Sequence, residues 1–224
     1  MLPTEWGGAY PIRAILWASR VIQWCYHRKA GISVAHIIQF DFSHSWVSAV
    51  LNGLRTAAHE IEQRYRTEEG FDALVRLEHQ EEILGVSCVA VQSYMNRTWA
   101  EIQKYDLKVN RTEAKLQMYQ MFGPKIGQPG IAHAELVYHL ANYWKHHDEW
   151  PDWTPKQNEP RYGTVKVLAN VGITADTDFP CIHGLQKIRP PVDPLFDELE
   201  QLLFDWRRAA VSYHLSESNG GAET

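Results

Sequence analysis

Cysteine is scarce in this chain: Cys25, Cys88 and Cys181 are the only three among 224 residues, and no two form a CxxC pair. A sparse, odd set reads as reduced thiols in a cytosolic protein, and it argues against both a disulfide scaffold and a zinc-type cysteine site. No stretch approaches the roughly 20 uninterrupted apolar residues that a membrane span requires. The most apolar segments are broken by Arg13, Arg20, Gln23 or His36. The opening Met1-Leu-Pro-Thr-Glu-Trp-Gly-Gly has no basic region followed by an apolar one, so secretion is not expected. A GxxxxGK loop is missing, which excludes P-loop nucleotide hydrolysis, and there is no GxSxG elbow for a hydrolase serine. Internal repeats, heptad arrays and low-complexity runs are lacking too. These absences together lead us to expect a soluble, cytoplasmic protein with no membrane association.

The residues that are present describe an ordinary globular chain. Hydrophobic residues make up 45% and charged residues 22%, enough for a core that needs neither disulfide nor metal. The net charge of −5 argues against broad wrapping of a nucleic-acid backbone but leaves room for a local basic site. Nine tryptophans are unusual at this length; large amphipathic rings belong to interfaces as well as to cores.

Helical spacing recurs along most of the chain. Pro11 suits a first helical position, and Ile12, Ile15, Leu16, Ile22 and Tyr26 follow at that spacing until Gly31. Residues 32–42 have a mixed period compatible with a strand or an irregular segment. Ser43 or Ser45 suits the N-cap of a helix with the stripe Val47, Val50, Leu51, Leu54, Ala58, Ile61 and Tyr65. After Thr67-Glu-Glu-Gly70 a longer helix carries Leu74, Leu77, Leu84, Cys88, Val91, Met95, Trp99 and Ile102. Further helices are expected at 112–122, 131–149, 164–170 and 194–214, the last capped by Asp193. The Gly- and Pro-bearing segments 123–130, 150–162 and 173–194 read as loops. The expected fold is all-α, mainly α: a bundle of five to six helices with an irregular Pro- and Trp-rich C-terminal extension. Its parts are an N-terminal helix and possible strand (1–42), a helical core domain (43–150), and an extension (151–224) packed on that core.

The helix 131–149 is the richest in chemistry. At about 100° per residue, Leu136, Val137, Leu140, Tyr143 and Trp144 fall on one side. Glu135, His139, Asn142, His146 and Glu149 fall within an arc of roughly 80° on the other, bordered by Tyr138 and Lys145. A solvated face is the plain reading of such a stripe. Two histidines at successive same-face positions, followed at once by a Trp- and Pro-rich loop able to wall off a pocket, favour a working site.

Two chemistries suit it. In the first, His146 is a general acid or base, histidine being the side chain whose ordinary pKa of about 6.5 lies nearest neutrality. Lys145 offsets phosphate charge, Asn142 orients base or substrate, and His139, Glu135 and Glu149 contact the substrate. This set fits metal-independent RNA cleavage by the ribose 2′-hydroxyl. In the second, Glu135 and His139 ligate a divalent metal with help from His59-Glu60 or Glu78-His79-x-Glu81-Glu82. The paired Glu-x-x-His signature of di-metal bundles is missing, so neither a metal nor any other cofactor is expected.

The layout of two long helices followed by a shorter one ending Asn142-Tyr-Trp-Lys145-His146 resembles the HEPN superfamily over residues 43–150. That resemblance implies an all-helical, usually dimeric domain, often a ribonuclease of toxin–antitoxin or phage-defence systems. It also implies that His146 is the catalytic histidine, that RNA is the substrate, and that the site forms where two subunits meet. The family's arginine, separated from the histidine by four to six residues, has no counterpart before His146. That spacing occurs instead at Arg20…His27, Arg207…His214 and Arg208…His214. A non-catalytic interaction protein using a Trp-rich surface is the alternative.

Overall fold

The computed structural model describes residues 41, 43–68, 72–105, 114–127, 130–150, 152–188 and 195–219, all within the unit Asp41–Thr224. The helix expected from Pro11, the segment 32–42 apart from Asp41, and the Asp193 cap lie outside them. The described residues form a mainly α-helical structure with a single two-stranded ribbon. Helix α1 is His44–Thr67, α2 Ala73–Tyr105, α3 Ala114–Met121, α4 His133–His146, α5 Tyr162–Asn170, α6 Pro180–Ile188 and α7 Leu195–Asn219. Strands β1 (Lys125–Ile126) and β2 (Ile131–Ala132) pair antiparallel between α3 and α4, with Lys125 opposite Ala132 and Ile126 opposite Ile131. The Gly- and Pro-bearing sequence here reads as a plain loop, and the ribbon corrects it. Gly127 and Gly130 take φ of 63° and 82°, a backbone conformation open to glycine, and so permit the tight return.

The long α2 forms the backbone of the bundle. Cys88, Val91, Met95, Trp99 and Ile102 of its expected stripe are buried, while Leu74 in its first turn stands 57% exposed. It packs against α1, α4, α6 and α7. Ser43 holds the N-cap position of α1, but its hydroxyl caps nothing and has no hydrogen-bond partner. The turn is set by Asp41, whose Oδ1 accepts from Ser43 N–H at 3.1 Å. Along α7, Phe196, Leu199, Leu203, Trp206, Ala210 and Val211 are buried, and Trp206 Nε1 donates to Met118 O at 3.1 Å.

Two buried polar knots tie the helices. Arg207 of α7 donates to Thr98 Oγ1 (2.9 Å) and Glu101 Oε2 (3.1 Å) on α2 and lies 3.4 Å from Asp41 Oδ2. Tyr94 hydrogen-bonds the same Asp41 oxygen; burial first, then this carboxylate, pushes the phenol well above its usual pKa. In the second knot, Glu81 of α2 accepts from Cys181 N–H (2.7 Å) and Ile182 N–H (2.9 Å), the free amides of the first turn of α6. Desolvation raises the Glu81 carboxyl, and these two amides oppose the rise.

Helix α6 corrects the reading of 173–194 as irregular. Pro180 occupies a first helical position, where proline's missing N–H costs nothing, and Cys181, Gly184 and Leu185 are buried. Its cap comes from Glu81, a hundred residues earlier. With α6 the described residues hold seven α-helices, one more than the five to six expected. Helix α7 also runs to Asn219, past the expected end at His214. Among the described residues no helix is long and apolar enough to cross a membrane.

Candidate functional site

Helix α4 has no free face over most of its length. It packs against α2, α3, α5, α6 and α7, so Ala134, Glu135, Leu136, Val137, His139, Leu140 and Ala141 are all buried. Helix α6 lies against Leu140 through Gly184, where an added Cβ would meet the leucine methyls at 2.7 Å. The polar stripe of α4 therefore divides into a buried part and a wet part.

The buried part is Glu135 and His139. Glu135 Oε1 accepts from Gln120 Nε2 of α3 at 2.7 Å. His139 Nδ1 lies 3.1 Å from Thr164 Oγ1 of α5, and its Nε2 is buried without a hydrogen-bond partner. Burial pushes this imidazole down to about 4, so it is neutral at physiological pH. The two residues meet different partners, and among the described residues no three His, Cys, Asp or Glu side chains converge as a metal would require.

The wet part opens into a cleft of about 490 Å³. One wall is the end of α4 and the 3₁₀ turn His147–Glu149 that tightens it: Asn142, His146, Glu149 and Trp150. The other is the loop into α5: Glu159, Pro160, Arg161 and Thr164. His146 Nδ1 sits 3.2 Å from Glu149 Oε2, which leaves Nε2 as the ring nitrogen without that partner. Arg161 donates through Nε to Glu159 (2.8 Å), through one terminal nitrogen to Asp152 O (3.0 Å), and lies 3.4 Å from Asp152 Oδ1 through the other. These bonds use three of guanidinium's five N–H groups and fix its plane. The Asp152 carboxyl is held below the usual range, chiefly by Thr154 N–H and then by the Thr154 side chain, with Arg161 adding to it.

A buried glutamine sets the Asn142 amide. Gln92 of α2 donates through Nε2 to Asn142 Oδ1 (2.8 Å) and Tyr138 O (3.1 Å), and its Oε1 accepts from Lys145 Nζ at 2.7 Å. Asn142 thus spends its oxygen on α2 and keeps its NH₂ for other partners. Lys145 is drawn to the α2 side and does not line the cleft. Desolvation first, and then Lys115, lower its pKa.

An aromatic cluster fastens the loop. Tyr143 meets His147, Trp150 and Trp153 at ring separations of 5.2, 5.7 and 5.5 Å, and Trp144 stacks on His147 at 5.4 Å. Burial pushes the Tyr143 phenol up to about 12. The loop after Trp150 does wall a pocket, as its composition suggests, and Trp150 offers a ring to the cleft.

Of the sequence-marked residues, the structure joins Asn142, His146 and Glu149 in one space. It sets Glu135 and His139 in the interior and turns Lys145 away. Arg161, Thr164 and Gln92 carry no sequence signal, because two lie at the border of an irregular loop and the third 50 residues away on another helix. Arg207 is committed to Thr98, Glu101 and Asp41, while Arg20, His27 and the His214 side chain lie outside what is described. A Ser48–His44–Glu200 cluster on α1 and α7 is not a nucleophilic relay. Ser48 Oγ lies 3.0 Å and Glu200 Oε1 3.5 Å from the same nitrogen, His44 Nε2, and Ser48 also hydrogen-bonds Glu200 directly. A relay needs acid and nucleophile on opposite ring nitrogens. Comparison with protein-family models, curated proteins and solved structures returns no match for this chain.

Proposed function

We propose that this cleft binds single-stranded RNA and cleaves it without a metal, as the HEPN-like layout implies. The observation that carries the reading is the meeting of His146 with Arg161 across one cleft, since Arg161 supplies from a later loop the guanidinium missing before His146. His146 takes the proton of a ribose 2′-hydroxyl through Nε2 as that oxygen attacks the adjacent phosphorus. Glu149 at Nδ1 steadies the resulting imidazolium. The P–O5′ bond breaks, the 5′-oxygen takes a proton from solvent water as it leaves, a 2′,3′-cyclic phosphate remains, and His146 returns its proton to solvent. Arg161 and the Asn142 NH₂ face the charge that builds on the phosphoryl oxygens, and Trp150 provides a stacking surface for a base.

The test is cleavage of a labelled single-stranded RNA by purified protein in excess chelator. Cleavage is expected to persist with chelator and to fall about 10²- to 10⁴-fold in His146→Ala. Intact RNA with the wild-type protein overturns the reading. A homodimer with cytoplasmic toxin–antitoxin or defence action belongs to the same proposal; equilibrium sedimentation tests the dimer.

A further inference from the structure

Thr164 is 5% exposed, yet it lines the cleft, and behind it stands the buried imidazole of His139. The hydrogen between Thr164 Oγ1 and His139 Nδ1 has two possible owners. If the threonine donates, the neutral ring carries its proton on Nε2, and the cleft meets only oxygen lone pairs. If Nδ1 donates, the hydroxyl hydrogen is free to point into the cleft.

The far side of the ring decides between them. His139 Nε2 is buried without a hydrogen-bond partner. A proton there leaves a buried N–H donor unmet, and orphaned buried N–H groups are rare in proteins. Burial also disfavours the doubly protonated ring at neutral pH. The proton therefore belongs on Nδ1.

The geometry points to Thr164 as a hydroxyl donor turned into the cleft by His139, forming with Asn142 and Arg161 a wall of donors that recognises phosphate oxygens. Asn142 has given its oxygen to Gln92, and guanidinium has only donors. Arg161 and Thr164 lie three residues apart at the entry of α5, a spacing that puts both on one helix face. The two carboxylates in the lining each have a polar partner close by, Arg161 for Glu159 and His146 for Glu149. The inference rests on the ribonuclease reading for the cleft as the working site, but not for the cleavage chemistry. It makes His139 a positioning residue, acting on the ligand through Thr164.

The test uses the full chain with ¹⁵N-histidine and two probes, inorganic phosphate and a 2′-deoxy tetranucleotide that lacks the attacking hydroxyl. Long-range ¹⁵N–¹H spectra report the His139 tautomer directly, with Nδ1–H expected. Thr164→Val is expected to weaken binding roughly 10- to 100-fold, with Thr164→Ser near wild type. His139→Asn, which keeps a donor near the Nδ1 position, is expected to bind better than His139→Ala. An Nε2–H tautomer overturns the inference, and so does wild-type binding by Thr164→Val or no binding of either probe by wild type. Binding of phosphate but not the tetranucleotide supports Thr164 while removing the polynucleotide reading. Tight binding of both with no RNA cleavage supports Thr164 and sinks the ribonuclease reading alone.

Discussion

Gly85, on the buried side of α2, faces the indole of Trp144. A Cβ placed there would lie 2.1 Å from Trp144 Cδ2 and 2.4 and 2.5 Å from Cε3 and Cε2. Carbon pairs settle at about 3.5–4.0 Å, so in Gly85→Ala the ring must retreat by more than about 1 Å. It cannot do so alone, because Trp144 stacks on His147 and the Trp144 carbonyl lies 3.0 Å from His147 Nδ1. Alanine gains about 1 kcal/mol over glycine in helix propensity, whereas overpacking costs about 1–3 kcal/mol. The expected net is a loss of about 1 kcal/mol, or roughly 2–4 °C in Tm for a chain of this size. Gly53 is the internal control: it lies exposed in α1 with nothing within 4 Å of an added Cβ. Gly53→Ala should stabilise by about 0.5–1 kcal/mol. Urea denaturation followed by circular dichroism measures both. Gly85→Ala as stable as wild type, or shifted in the same direction as Gly53→Ala, would refute the packing argument.

Three further outcomes are expected. Gly184→Ala meets the Leu140 methyls at 2.7 Å and Cγ at 3.1 Å, a looser clash than the 2.1 Å at Gly85, so it should cost less than Gly85→Ala, and a double-mutant cycle with Leu140→Ala should show favourable coupling. Arg207→Ala leaves Asp41 and Glu101 facing a buried vacancy and should cost about 3–5 kcal/mol by denaturant titration; a loss under 1 kcal/mol would show that the knot is idle. The folded-state pKa of Glu81 is raised, so the folded protein holds this proton more tightly than the unfolded chain does. Its contribution should therefore fall as pH rises from the ordinary carboxylate pKa of about 4.3 through the raised folded value. Unfolding free energies across that window should lose this slope in Glu81→Gln, and an unchanged slope would exclude Glu81 as its source.

The long helices were legible because a single periodicity of apolar residues, such as Cys88 to Ile102, is local information. What a local pattern does not carry is non-local contact. A helical wheel assigns each helix two faces, but α4 is enclosed by five neighbours, and Glu135 and His139 are polar because Gln120 and Thr164 await them. Helix α6 is hidden for a related reason: Pro180 at its start and Pro190, Pro191 and Pro194 after it read as breakers, and the group that caps it lies on α2. Within the cleft, Asn142, His146 and Glu149 could be grouped from their spacing. Arg161 could not, since an irregular loop carries no period from which to infer where a side chain ends up.

The Glu81 cap also bears on the order of assembly. A nine-residue helix is marginal alone in water, and α6 finds acceptors for its first amides only on a residue synthesised a hundred positions earlier. It is a conditional helix, completed when α2 is already in place. Closing so long a loop is slow, which places the docking of α6 among the late steps of folding. The amide of Cys181 then becomes a reporter: its protection from hydrogen exchange should appear only after the α2 backbone is already protected.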